Sequence, residues 1–177
     1  MKYVALLRGI GPTNPNMRGE KLRGVLEELG FNNVQTVITS GNVVFESSSK
    51  DIKQLQNTIE AAWPKHLGFN STTIIRSQQQ LQDLVAKNPF KGVNHSPKTY
   101  QLVTFFKNPI KTDIKFPFTP PGKGYTLLGK YDDAICSTLD TTAAKTPDLM
   151  VWLERQFGKE ITSRTYKTIE RILQKME

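Results

Sequence analysis

The chain has 177 residues, 37% of them hydrophobic, with one cysteine, two histidines and a formal net charge of +8. That length fits one domain or two small ones packed together and buries roughly two-thirds of the unfolded surface, so folding needs neither disulfide nor metal. Lone Cys136 excludes an internal disulfide, no apolar run reaches the ~20 residues of a membrane helix, and Tyr3–Leu7 followed by Arg8 is too short for a signal peptide. A cytoplasmic protein in a reducing compartment is therefore expected.

Lys2–Leu7 reads as a buried strand and Arg8–Asn16 as a loop rich in Gly and Pro. A helix is predicted over Met17–Leu29, with Asn16 as N-cap, an apolar stripe at Leu22, Val25, Leu26 and Leu29, and Gly30 as its stop. Val34–Thr39 and Asn42–Glu46 read as a hairpin around Ser40-Gly41. Ser48–Asp51 opens a second helix with its buried stripe at Ile52, Leu55, Ile59, Ala62 and Trp63, which Pro64 should end or kink. Thr72–Ile75 is the next strand. The order β-α-β-β-α-β is that of a ferredoxin-like plait.

Ser77–Gln80 resembles a capping box opening a helix that ends at Asn88-Pro89. Residues 87–98 read as an exposed connection, and Tyr100–Phe106 as a strand. A Pro-rich loop, Phe116–Gly124, precedes a hairpin of Tyr125–Leu128 and Asp133–Leu139 turning through Gly129–Asp132. Pro147–Phe157 and Thr165–Lys175 are helical. The expected organisation is α+β, with plait-like antiparallel subdomains at 1–76 and 99–177 joined by a helix and loop at 77–98.

Charge is uneven. Residues 1–86 carry 9 basic and 7 acidic groups, residues 131–177 carry 7 and 8, and residues 87–130 carry 8 lysines against Asp113 alone, a net +7. Such a stretch suits an anionic partner, by steering and by counterion release where the partner is nucleic acid; the competing reading is a solubilising surface. Phe90, Tyr100, Phe105, Phe106, Phe116, Phe118 and Tyr125 interleave with these lysines, a pattern that can bind single strands by stacking and charge. Most alternate as core residues would, and the RNA-recognition signature is missing.

Gly9-Ile10-Gly11 lacks the third glycine of a dinucleotide fingerprint, since position 14 is Asn14, and no P-loop Gly-Lys-Ser/Thr is present. A generic anion site at a helix N-terminus remains open. Antiparallel pairing should set Arg8 beside Ser40, Gly41 and Asn42, where a guanidinium, an amide and loop N–H groups suit a phosphate or carboxylate. Equally open is that Arg8 satisfies turn carbonyls while Asn42 holds the hairpin. His66 and His95 have no Cys, His or carboxylate at ligand spacing, so no metal and no cofactor are expected. Cys136 reads as a small core residue and Asp132-Asp133 as a solvated turn.

Ala5-Leu6-Leu7-Arg8-Gly9-Ile10, Leu29-Gly30-Phe31 with Val34, Ser40-Gly41-Asn42-Val43-Val44-Phe45, Arg76, Asn88-Pro89-Phe90 and Thr162-Ser163-Arg164 with Thr168 stand in order along the chain. In them the chain resembles the bacterial domain-of-unknown-function family sixteen ninety-seven. The family's usual Asn-Val-Gly-Gly is replaced by Gly11-Pro12-Thr13-Asn14-Pro15-Asn16, and its Arg-Asn pair becomes Arg164-Thr165. The resemblance implies two plait-like subdomains and brings no established activity, cofactor or catalytic residue.

The functional expectation is a non-catalytic binder of an anionic ligand, with nucleic acid one option. The alternatives are a small enzyme acting on a phosphate- or carboxylate-bearing substrate between the subdomains, and an interaction module docking through the Lys- and Pro-rich 107–124 segment. The candidate ligand-binding residues are Arg8, Gly9, Ser40, Gly41, Asn42, Arg76 and Arg164.

Overall fold

The computed structural model describes residues 1–11, 13–39 and 41–177; candidate Ser40 and loop residue Pro12 lie outside the described residues. The chain forms two compact units, residues 1–82 with 170–177 and residues 83–169. Both are α+β.

The first unit contains β1 (Lys2–Leu7), α1 (Gly19–Glu28), β2 (Asn32–Thr36), β3 (Asn42–Glu46), α2 (Ile52–Leu67) and β4 (Thr73–Ser77). Its antiparallel sheet has the order β2-β3-β1-β4, the plait expected from the sequence. The two-residue period of the strands puts Tyr3, Ala5, Leu7, Val43, Phe45 and Ile75 on one face. There they meet Leu22, Val25 and Leu26 of α1 and Leu55, Ile59 and Trp63 of α2. Val4, Leu6, Val44 and Ile74, on the opposite face, are buried as well. Two bonds fix α2 over β4: Trp63 Nε1 donates to Thr73 Oγ1 at 2.9 Å and the Ile75 N–H to Gln56 Oε1 at 3.0 Å.

Local geometry departs from the sequence reading at four places in this unit. Pro15 opens a separate 3-10 turn, Pro15–Met17, capped by Asn14 rather than Asn16. Extended Arg18 then separates that turn from α1, which starts two residues later than expected. Strand β2 ends at Thr36 rather than Thr39, and the Val37 N–H donates to the Asn42 carbonyl at 2.9 Å; the turn expected at Ser40-Gly41 includes Ser40, which lies outside the described residues. Asp51 itself is the N-cap of α2, accepting from the Gln54 N–H at 3.0 Å. Helix α2 also runs through Pro64 to Leu67 and stops at left-handed Gly68. One missing N–H in the last turn is outweighed there by the buried Trp63 anchor and by Gly68 N–H bonds to the Trp63 and Pro64 carbonyls.

Helix α3 (Gln78–Ala86) follows β4 without a loop. The predicted capping box is present, with the Gln80 N–H donating to Ser77 Oγ at 3.1 Å and the Ser77 N–H to Gln80 Oε1 at 2.8 Å.

The second unit holds β5 (Thr99–Phe106), β6 (Tyr125–Tyr131), β7 (Ala134–Asp140), α4 (Thr146–Phe157) and β8 (Ile161–Thr165), and starts α5 (Tyr166–Met176). Its antiparallel sheet runs β6-β7-β5-β8, the same order as the first. Leu102, Phe106, Leu127, Ile135, Leu139 and Ile161 pack with Leu149 and Leu153 of α4. Between its first two strands, where the first unit has α1, stand residues 107–124 without a helix; Ile110, Phe116 and Phe118 pack on the core instead.

Two expectations change here. The β6–β7 turn is Asp132-Asp133, with Asp132 at φ 50°, and Gly129 lies in a register shift inside β6 rather than in the turn. The sequence predicts no strand at β8, because Ile161 is its one apolar side chain. Pairing to β5 from Leu102↔Thr165 to Phe106↔Ile161 holds it, and Thr104 Oγ1 and Ser163 Oγ share a 2.7 Å bond.

The Ser137 hydroxyl is fully buried in the second sheet and has no hydrogen-bond partner among the described residues. Replacing Ser137→Ala removes an unsatisfied polar group and is expected to raise stability by about 1 kcal/mol. The urea midpoint should rise with an unchanged m-value.

Candidate functional site

Leu6 stands opposite Asn42 in the β1–β3 register, and the Leu7 N–H donates to the Gly41 carbonyl at 2.9 Å. Arg8 follows directly: its N–H donates to the Thr72 carbonyl at 2.9 Å, and its own carbonyl accepts from Ser71 Oγ at 2.7 Å. Its backbone thus lies at the end of the sheet where β3 and β4 begin. Gly9 and Gly41 both take left-handed φ, 72° and 79°. A Cβ on Gly41 would also lie 2.6 Å from Ile10 Cγ1 and 3.1 Å from Leu7 Cβ, so the loop after β1 and the loop before β3 touch only because this residue is glycine.

Asn42 is 1% exposed, and its Nδ2 donates to the Val37 carbonyl at 3.0 Å, clipping the two ends of the β2–β3 loop. At the tip of that loop Ile38 is 42% exposed with φ 59°, a left-handed conformation that costs a β-branched residue on the order of 1–3 kcal/mol. The Gly9–Gly11 loop does not lead into the N-terminus of α1. The Pro15–Met17 turn intervenes, and the Gly11 N–H points to Met17 Sδ at 3.4 Å.

Arg76 lies in the same sheet, opposite Val4 on β4, 6% exposed, with Nη1 on the Ile75 carbonyl at 2.8 Å. Arg164 belongs to the other unit, opposite Val103 on β8, and is 8% exposed. Its Nη1 donates to Thr162 Oγ1 at 2.7 Å and to the Ser163 carbonyl at 2.9 Å, and burial lowers its guanidinium pKa to about 10. The two arginines hold equivalent places. Each stands on the last strand of its sheet, opposite a buried valine of the central strand, two residues before a helix capped by Ser77 or Thr165. The structure therefore groups Arg8, Gly9, Gly41 and Asn42, sets Arg76 farther along the same sheet, and puts Arg164 in the second unit. The Arg76–Arg164 equivalence could not be read from the sequence because β8 carried no strand pattern.

Within residues 87–130, Lys87 pairs with Asp132 at 3.1 Å and Lys107 with Glu160 at 3.5 Å. Lys91, Lys98, Lys111, Lys115, Lys123 and Lys130 are exposed, and none of these six enters a salt bridge among the described residues. Residues 110–119 alternate with period two. Ile110, Thr112, Ile114, Phe116 and Phe118 are half-buried, while Lys111, Asp113, Lys115, Pro117 and Thr119 face solvent. Phe118 locks this strap to β6 through reciprocal 2.8 Å bonds with Leu127, and its ring lies 6.0 Å from that of Trp152.

The interleaved aromatics are turned inward. Phe90, Phe105, Phe106 and Tyr125 are buried, and Phe116 and Phe118 pack on the core. Tyr100 is half-buried, stacked on His95 at 5.2 Å. The segment offers charge to solvent and keeps its rings for packing.

Among the described residues no group of three or more His, Cys, Asp or Glu could hold a metal ion. His66 Nδ1 lies 3.0 Å from Glu28 Oε2, and His95 Nδ1 accepts from the Gln101 N–H at 3.2 Å. Cys136 is fully buried, and desolvation pushes its thiol up to about 12.

Substituting Gly41→Ala should cost about 2–4 kcal/mol, combining backbone strain with the Ile10 clash. Gly9→Ala, where a Cβ meets nothing within 4 Å, should cost about 1–2 kcal/mol. Thermal or urea denaturation of the two variants measures the difference. Cys136 should resist a thiol-specific disulfide reagent at pH 8 in the native protein and react fully in denaturant. Because its folded pKa is raised, the stability it contributes is complete below pH 9 and is lost as pH rises towards 12. Cys136→Ala should flatten that alkaline decline.

The chain is similar to the conserved bacterial protein SP0830 from Streptococcus pneumoniae, whose solved structure it matches with a TM-score of 0.68 at 18% identity, covering 99% of this chain and 98% of that one. At that identity the likeness concerns the fold. No curated protein matches the chain. The family model for proteins of unknown function, DUF1697, matches residues 1–119, which include β1, the Gly41-Asn42 turn, Arg76 and most of the strap. The chain belongs to the DUF1697 family.

Proposed function

We propose that this protein is a cytoplasmic, non-catalytic binder of an anionic ligand, nucleic acid in particular, and that it engages that ligand through the lysine surface of residues 87–130. One observation carries the reading: six exposed lysines without ion pairs lie in a stretch whose one acidic residue is Asp113. With one acidic residue in the stretch, these six lysines are left with little local neutralisation, and the field they set up attracts polyanions. With the aromatic rings turned inward, recognition runs through phosphates and not through stacked bases. No helix among the described residues is long and apolar enough to cross a membrane, which fits a partner met in solution.

The enzyme alternative at Arg8 and Asn42 draws less support, because the Asn42 amide is committed to the Val37 carbonyl. Arg8, Gly9 and Gly41 remain candidates for a secondary anion contact at the end of the first sheet.

Binding to a mixed-sequence single-stranded oligonucleotide should weaken with salt. If all six lysines engage, the slope of log K against log salt approaches about −4, at roughly −0.7 per phosphate contact. Replacing Lys111, Lys115 and Lys123 together by Ala should reduce that slope by about 2 and weaken all sequences alike. A slope near zero, or a triple variant that binds as the native protein does, would overturn the reading.

A further inference from the structure

At one end of the second sheet, on the face turned away from α4, lies a pocket of about 310 Å³ lined by Thr99, Thr119, Lys123, Thr126, Thr138 and Asp140 among others. The register builds it. Thr99 pairs across from Asp140 and Thr126 from Thr138, so three neighbouring strands present hydroxyls and one carboxylate to the same face. The Thr99 and Thr138 side chains are half-buried, and their hydroxyls have no partner among the described residues. Thr119 and Thr126 share a 2.7 Å bond. Asp140 uses Oδ1 to accept from the Thr142 N–H at 2.9 Å and Oγ1 at 2.6 Å, while Oδ2 accepts nothing among the described residues.

Lys123 supplies the one cation, and the loop that carries it is held close. The Asp140 N–H donates to the Gly124 carbonyl at 2.8 Å, and a Cβ on Gly124 would lie 2.7 Å from Ala143 Cβ.

We infer that this pocket is a binding site for a ribose phosphate unit, with the phosphate on Lys123 and the vicinal diol on Asp140 and the unpartnered threonines. The chemistry and the size select that ligand. An ionised carboxylate with an open oxygen accepts from sugar hydroxyls, as acidic residues do at the ribose of dinucleotides. An exposed ammonium takes a phosphate. The volume stands at the small end of ligand pockets and is enough for a pentose phosphate. Tyr125, the pocket's aromatic residue, is buried and offers no face for a base.

The inference rests on the lysine-surface reading for the source of the ligand, either a free sugar phosphate or the terminal unit of an RNA chain.

The test is a titration of the full-length protein, following the backbone amide signals of Thr99, Thr126 and Thr138 by NMR. D-ribose 5-phosphate should shift these signals and saturate in the low millimolar range, of the order of 1–10 mM. Inorganic phosphate and 2-deoxyribose 5-phosphate should bind about three- to tenfold more weakly, each lacking hydroxyl contacts. Asp140→Asn keeps the Oδ1 acceptor for Thr142 and should erase the difference between ribose and deoxyribose. Thr138→Val, on a different strand, should weaken the ribose ligand alone. Lys123→Ala should weaken both sugar phosphates.

The dinucleotide pUpU separates the two sources. Tighter binding than ribose 5-phosphate assigns the pocket to a chain terminus, and equal binding assigns it to the free sugar phosphate. Both outcomes support the pocket. Failure to saturate by about 20 mM, shifts confined to other residues, or equal affinity for inorganic phosphate overturns it. Loss of the pocket with a normal oligonucleotide salt slope overturns this inference alone. A flat salt slope with intact saturation by ribose 5-phosphate overturns only the broader reading.

Discussion

The first unit depends on one constraint, the antiparallel register that seats Val4 of β1 between Val44 of β3 and Arg76 of β4. Strand β1 is buried on both faces, so a slip of a single residue would turn Tyr3, Ala5 and Leu7 away from α1 and α2 and expel Val4 and Leu6 from the opposite face. The same register delivers Arg8 to the Gly41 carbonyl end of β3, and the local chemistry there is consequent on it. The contact of Gly41 with Ile10 and the Asn42 clip on Val37 exist because β1 runs out where β3 begins.

The second unit repeats the arrangement with different materials. Val103 takes the place of Val4, flanked by Cys136 and Arg164 where the first sheet has Val44 and Arg76. Both arginines lie on buried strand faces, and both spend a guanidinium N–H on the carbonyl of the preceding residue. A buried cation is costly unless its hydrogen bonds are met, and the Thr162 hydroxyl helps to meet those of Arg164. Where the units differ most is between their first two strands. Helix α1 covers the first sheet, while the second uses an extended strap whose apolar positions point in and whose lysines point out.

Much of the first unit was legible in the sequence because its strands are apolar and its helices carry clean 3.6-residue stripes. Lys2–Leu7 and Asn42–Glu46 were read with their observed bounds. Helix starts were read less well, because Asn14, Asn16 and Arg18 compete to begin one and the choice is settled by Pro15 and by packing. Strand β8 escaped because Ile-Thr-Ser-Arg-Thr owes its conformation to pairing with β5 rather than to its own composition. The nearness of Arg8 to Gly41 followed from strand order. The threonine pocket did not, since Thr99, Thr126 and Thr138 are ordinary polar strand positions until the register aligns them.

The last eight residues belong to the first unit, whereas the 87 residues from Asp83 to Ile169 form the second. Lys2 Nζ donates to the Glu177 carbonyl at 3.0 Å, tying the start of β1 to the segment that follows the second unit. On a ribosome that releases about 5–20 residues per second, the first unit emerges early but must wait for the whole inserted unit before its closing segment arrives. Its sheet and helices can assemble during that interval, yet completion is deferred until residues 170–177 have been made. A nascent chain stalled anywhere within the inserted unit therefore presents an N-terminal unit that lacks residues 170–177.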